Sequence, residues 1–498
     1  MKIQYLIIFL IISFHIQSYT QSSFFITYNT DLITTGCKIT ETQAGNLLIL
    51  SVGKNEYTNQ YSTKITKYGD LGNLISSIQF DGYNGATYNV IEPYKYQENQ
   101  FIIGGYTDSI DNQGTQFRTS NIKIIDNNLN VLQSENREPE FETANYYRQI
   151  IPYSDSIIFL LEEFQTRQHW PKVWKNNLNT NTWSYYQPDT ILGRTCFDML
   201  IHDSIISVFY SGNEISNKYS YNHIIDLDLS LNFLKCTPQP DDIYLYSFAE
   251  PFTDSTYLLS GMAYILYQPP MNVCRSIFLY EMLYNHDSIC GAQFYPEYPE
   301  DTILYPFMSK NVTFSDYKIA IGGQYNIVPI QYPTQPTPCW VQLTLFDYEL
   351  NMEKQLYYGD GVKAYYGMDI IATSDGGFAM CGLVNDPQNT TNPQPDMFVL
   401  KVNSEGLMTG NNEREQPEVT EVILWPNPGN DVIHLKSASQ LTNASFELYN
   451  PSGILCLTQK LSAGTHQTIN TEHLTAGIYP YRIINGNRVV KTGKWIKK

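Results

Sequence analysis

Charged residues are scarce in this sequence: Asp, Glu, Lys and Arg together make up 16% of it. Helical proteins dress their exposed faces with such residues, so a chain with 14% aromatics, 40 Tyr, 25 Pro and 30 Gly reads as strand and turn. Positive charge is scarcest of all. With 31 basic against 49 acidic residues the net charge is −18, which excludes nucleic-acid phosphates and anionic membrane surfaces as natural partners. Long apolar runs are missing too. The longest, Tyr5 to Ile12, is too short to span a bilayer. The eight cysteines stand singly at 37, 196, 236, 274, 290, 339, 381 and 456. None forms the C-x-x-C spacing of a zinc or redox site, and their disulfide pairing is open among 105 arrangements. The sequence also contains no G-x-S-x-G, H-E-x-x-H, phosphate-binding G-x-x-x-x-G-K or EF-hand loop, so it nominates no catalytic, cofactor or metal residue.

What is present begins with a secretory leader. Lys2 supplies the positive start, Tyr5 to Ile12 the apolar core, and Ser18 to Gln21 the small polar exit, which sets residues 1–20 aside as a signal peptide. No cysteine stands at the expected cleavage point, which disfavours a lipoprotein anchor.

From residue 22 to 403 one phrase returns seven times: a turn residue, about five apolar β-formers, and often a closing Gly. The copies start at Ala44, Glu98, Asp155, Asp203, Asp254, Asp316 and Asp375. Each follows another β-rich run, at Cys37, Tyr88, Tyr147, Phe197, Tyr246, Asn311 and Met368, and precedes an alternating strand such as Ser62–Tyr68 or Asp396–Val402. Four antiparallel strands at this spacing predict the blades of a β-propeller, seven in number. The last repeat lacks a fourth strand, because Asn403 to Glu418 is a polar linker. The segment Phe24–Tyr28 has the character of that missing strand, and is expected to pair with Met397–Val402 and so close the ring.

Within the body, His202 and His223 fall on strands and read as structural. Asp226 and Asp228 alternate on one strand face, where a carboxylate pair competes with an ordinary solvated face. The recurring Asp at 155, 203, 254, 316 and 375 fits hairpin-turn chemistry better than a ligand ring.

Residues 419–498 carry eight basic and four acidic residues, the reverse of the acidic body. Seven short strands in some eighty residues predict a small immunoglobulin-like β-sandwich. Three phrases are specific: Trp425-Pro426-Asn427-Pro428, then Glu447-Leu448-Tyr449 with Gly453, then Ala476-Gly477-Ile478-Tyr479, followed by a basic end from Lys491. In this order the tail resembles the type A C-terminal sorting domain of the type IX secretion system of Bacteroidetes. Trp425, Gly429 and Pro480 depart from the common pattern, and Pro480 inside a strand predicts an edge position. The resemblance implies export across both membranes, recognition by the outer-membrane translocon, and release or surface attachment after a cut near Asn411 to Glu418. The combined expectation is a secreted or surface-attached binding or adhesion protein with a glycan or protein ligand. An exported hydrolase or lyase is the alternative.

Overall fold

Each repeat phrase becomes the second strand of a four-stranded antiparallel sheet. The computed structural model describes residues 22–498 apart from 29–32, 55–60, 82, 85–93, 98–99, 111–115, 137–144, 165–170, 189–194, 214–219, 240–244, 267–272, 295–303, 308, 327–337, 387–394, 409–421, 442–443, 451–454, 462–463 and 486–487. The described residues are all strand, turn or irregular, with no helix among them. They divide into two compact units at Gly410/Asn411. The expected signal peptide lies outside the described residues.

The first sheet of the body shows the plan: Ile33–Glu41, Leu47–Lys54, Tyr61–Tyr68 and Leu74–Asp81 pair in chain order. Seven sheets are found among the described residues of this unit. The second and sixth begin with two short pieces, Tyr83–Asn84 with Tyr94–Gln97 and Leu304–Pro306 with Val312–Phe314, each pair sharing one partner strand. The strand expected at Tyr88 lies outside the described residues except for Tyr94. First strands touch one another in sequence: Asn145–Pro152 meets Thr195–His202, which meets Leu245–Pro251, then Val312–Phe314, then Ala364–Ala372, which returns to Ile33–Glu41. The second sheet is joined to the first and third at Tyr83–Asn84 and Tyr94–Gln97. This closed succession is a β-propeller.

Closure is made as the sequence predicts. Phe24–Tyr28 pairs antiparallel with Asp396–Val402 in the register Phe24 to Lys401 through Tyr28 to Met397, completing a sheet whose other strands are Ala364–Ala372 and Phe378–Asn385. The physical reason for the repeat phrase is burial on both faces. Phe378–Asn385 is buried throughout, and Leu47–Lys54 at all but its last residue, because neighbouring sheets cover both sides. Fourth strands such as Val131–Asn136 are largely exposed.

The turns between third and fourth strands hold a second repeat. Gly72, Leu129, Asn181, Leu231, His286 and Leu350 all have positive φ there, as does Gly406 after the third strand of the last sheet. In three sheets the turn reads D-x-x-L-N. Asp126, Asp228 and Asp347 each accept from the backbone N–H two and four residues on and from the Asn side chain at 2.8 to 3.0 Å. Leu129, Leu231 and Leu350 then tuck into the core, which offsets the backbone cost of a left-handed Leu.

The second unit has two sheets. Val422–Trp425, Val432–Leu441 and Gly464–Asn470 form one, and Leu455–Lys460, Ala444–Tyr449, Gly477–Asn485 and Arg488–Lys497 the other. Ile433, Leu435 and Ile469 from one sheet meet Phe446, Leu448, Tyr479, Ile483 and Trp495 from the other in a single core. Pro480 is a correction: its strand, Gly477–Asn485, is internal rather than at an edge. Pairing to Ala444–Tyr449 stops at Tyr481, one residue short, so the missing Pro N–H interrupts no ladder on that side.

Candidate functional site

The propeller axis is lined by the first strands, and there lies a cavity of about 290 Å³. Its wall includes Lys38, Arg148, Gln149, Asp198, Glu250 and Lys310, contributed by five different sheets. The arrangement follows from a defect repeated along the ring. Strand register slips just before Gln149, Asp198, Phe248 and Asp369, and three of these four residues are polar. Each of the three bonds the next sheet: Gln149 Oε1 accepts from Met199 N, Asp198 Oδ2 from Ala249 N at 2.7 Å, and Asp369 Oδ2 from Ile39 N at 2.9 Å. The other oxygens of Asp198 and Asp369 accept from Met199 N and Ile370 N. Thr313 Oγ1 likewise accepts from Ala372 N. Around the axis, side chains thus serve backbone groups of an adjacent blade. Lys310 pairs with Glu250 at 2.8 Å, and Lys38 Nζ donates to the Ser309 carbonyl at 3.3 Å.

Sequence reasoning missed a buried polar chain between the fourth and fifth sheets. Ser207 Oγ donates to Asp226 Oδ1 at 2.7 Å, His286 Nε2 contacts both Asp226 oxygens at 2.9 and 3.0 Å, and His286 Nδ1 meets the Tyr257 hydroxyl at 3.0 Å. Lys235 Nζ lies 3.4 Å from Asp226. Burial works against ionising Asp226, but hydrogen bonds from His286 and Ser207 and the positive charges nearby outweigh it and hold the carboxyl below its ordinary value. Burial pushes the Tyr257 hydroxyl up strongly. His286 occupies the place that Leu takes in the D-x-x-L-N turns, and that substitution was the available signal. Asp226 and Asp228 do not form a carboxylate pair: Asp228 is committed to its own turn.

The other sequence candidates take structural places. His202 stacks on Tyr284 with centroids 3.4 Å apart, and the backbone carbonyl of His223 accepts from Gln239. Asp155, Asp203, Asp254, Asp316 and Asp375 lie in the turns between first and second strands. Asp375 accepts from Thr373 and pairs with Lys401 at 2.9 Å. Among the described residues no group of His, Cys, Asp and Glu has the geometry of a metal site.

In the tail, Trp425 through Pro428 are exposed and dock on the last strand. Trp495 Nε1 donates to the Pro426 carbonyl at 2.9 Å, Asn427 Nδ2 donates to Lys494 O at 2.8 Å, and Asn427 Oδ1 accepts from Ile496 N at 3.0 Å. The Trp425–Pro426 and Asn427–Pro428 bonds are cis. Arg482 and Tyr449 both donate to Glu447, Leu448 is buried, and Tyr479 donates to the Thr475 carbonyl at 2.9 Å. Gly477 opens its strand, and Lys491 pairs with Ile483 in the last hairpin. Gly453 lies outside the described residues.

A β-propeller followed by a separate small β unit bearing these motifs defines an exported protein with a sorting tail. Residues 423–498 match the family model described as the secretion system C-terminal sorting domain, which makes the chain a cargo of the type IX machinery, secreted or attached to the outer cell surface. No curated protein matches the chain. Among solved structures it is similar to the β-propeller domain of the Trilobed protease from Pyrococcus furiosus, at 11% identity and TM-score 0.44, over 79% of this chain and 100% of that one. A fungal alcohol oxidase in complex with copper gives 12% and 0.44 over 96% and 100%. An α-L-arabinofuranosidase of Fusarium graminearum gives 7% and 0.40 over 77% and 99%. Likeness at this level carries no functional argument.

Proposed function

We propose that the chain is a surface binding or adhesion protein of a Bacteroidetes-type bacterium, with a seven-bladed body displayed outside the cell and a glycan or protein ligand. Residues 1–20 act as the signal peptide, 404–418 as the linker in which the tail is cut away, and 419–498 as an immunoglobulin-like address read by the translocon. The observation that carries the binding reading is the use made of the axial carboxylates. Asp198 and Asp369 each give both oxygens to backbone N–H groups, a strut's role, whereas a catalytic acid or base needs an oxygen turned toward substrate. The second and fourth strands end, and the first and third strands begin, at one end of the ring, and that end is the natural ligand face.

The hydrolase or lyase reading draws on one observation: Glu250 faces the axial cavity together with Lys38, Arg148 and Lys310. The exported protein screened on a glycan array and in pulldowns from host-surface extracts separates the two. Retention of a ligand that is recovered chemically intact supports binding. Shortened oligosaccharide or peptide products that vanish in Glu250→Gln support the enzyme, and the absence of retention by any ligand class overturns the binding reading.

A further inference from the structure

The seam where the ring closes contains two cysteines. Cys37 sits in the first strand of the first sheet, Ile33–Glu41, and Cys381 in the second strand of the last, Phe378–Asn385. They lie 344 positions apart, yet both are fully buried in one apolar cluster with Phe24, Ile26, Met397 and Val399, residues of the two strands that make the closure. The strands that carry them, Ile33–Glu41 and Phe378–Asn385, lie against each other. The contact is fixed from outside as well: Cys381 pairs in register with Asp369, whose carboxylate accepts from Ile39 N two residues beyond Cys37. Other cysteines are differently engaged. Cys339 donates to the Tyr365 carbonyl at 3.2 Å, and Cys290 is exposed beside Glu281.

We propose that Cys37 and Cys381 are joined as a disulfide during export, a covalent bolt across the propeller's closing seam. The oxidant is the disulfide of a periplasmic thiol oxidoreductase. The thiolate of one cysteine, having lost its proton to solvent, attacks a carrier sulfur, forming a mixed disulfide and expelling the other carrier sulfur as a thiolate. The second cysteine, also deprotonated, attacks the mixed disulfide and releases the carrier as a dithiol. Two electrons pass to the carrier, together with the two protons the cysteines gave up. The order of events follows from burial. In the closed ring, desolvation and then the neighbouring thiol push Cys381 well up, so the nucleophilic thiolate is suppressed there. Oxidation therefore precedes the seating of Phe24–Tyr28, and the finished bond is shielded from reductants.

Protein collected outside the cell, denatured in iodoacetamide without reductant and digested, tests this by mass spectrometry. A linked peptide pair containing Cys37 and Cys381, lost on reduction, is the expected result. Recovery of both residues as alkylated free thiols overturns it. Thermal midpoints give an independent reading. With the bolt present, Cys37→Ala, Cys381→Ala and the double variant all fall by a similar amount, about 5 °C, because either change removes the same bond. Single losses that simply add in the double variant speak against the bond.

Discussion

The body and the tail are both all-β, but they bury their strands differently. In the body, Phe378–Asn385 is covered on both faces by neighbouring sheets, so its apolar character runs without a break. In the tail, Ala444–Tyr449 alternates buried and half-buried residues, as a strand in one of two facing sheets does. Polar side chains differ accordingly. Those of the body lie between sheets and hold them together, as Asp198, Asp369 and Asp226 do. Those of the tail motifs lie at the surface, as Asn427 does. Polar residues between the sheets of the ring are struts, whereas those of the tail motifs are bonded at the domain's surface, Asn427 to the last strand and Glu447 to Arg482 and Tyr449.

Two deletions put that division to its largest test. Removing residues 423–498 leaves a body that folds, since its core and closure are complete without them, but stops export: immunoblots of cell fractions should find the protein in the periplasm and none outside. Removing residues 22–28 has the opposite outcome. The third strand of the last sheet loses its outer partner, Phe24 and Ile26 leave the seam, and the exposed edge drives aggregation, seen as loss of the monomer peak in size-exclusion chromatography. Normal secretion of the tail-less protein would break the comparison outright.

The Asp226–His286 pair tests the strut idea at smaller scale. Asp226→Leu or His286→Leu alone leaves a buried polar partner stranded and should cost about 3 to 5 kcal/mol. The double variant restores the Leu that other sheets place in this turn and should recover most of that loss in denaturant titrations. The pH dependence has a definite sign. Because the folded carboxyl of Asp226 is held below its ordinary value near 3.8, its stabilisation is fully present above that value and lost as pH falls through the lower folded one. Asp226→Asn should therefore flatten the acid limb of the unfolding midpoint below about pH 4, and an unchanged acid limb would remove the carboxylate from the account.

How much of this was legible depended on whether the signal was local. The repeat phrase was visible because burial on both faces writes itself as an apolar run, and the closing strand because Phe24–Tyr28 carries the same character at the far end of the chain. The tail was legible through short motifs. The struts were not: Asp226 and His286 are 60 positions apart in different sheets, and nothing local links them. Gln149, Asp198 and Asp369 carry no local signal, since only the register slip before each sets it against the next sheet. The D-x-x-L-N turns were present in the sequence three times and went unread behind the stronger apolar repeat. Pro480 was misplaced because a Pro inside a strand implies an edge, whereas here the pairing to the neighbouring strand simply stops one residue short.

The smallest expected effect bears on the exposed side of the comparison. Glu447 accepts from Arg482 and Tyr449, and those bonds, Tyr449's first, hold its carboxyl below the ordinary value. Arg482 is largely exposed, so solvent screens the pair and the long side chain loses entropy in making it. Arg482→Ala should shift the unfolding free energy by less than about 1 kcal/mol. Export of the same variant is the sharper measurement. If the translocon reads the exposed tail motifs as a surface, secretion falls although the domain remains folded. If stability falls and export falls only in step with it, Glu447 and Arg482 belong with the struts; if both stay at their original values, Arg482 is neither read nor a strut.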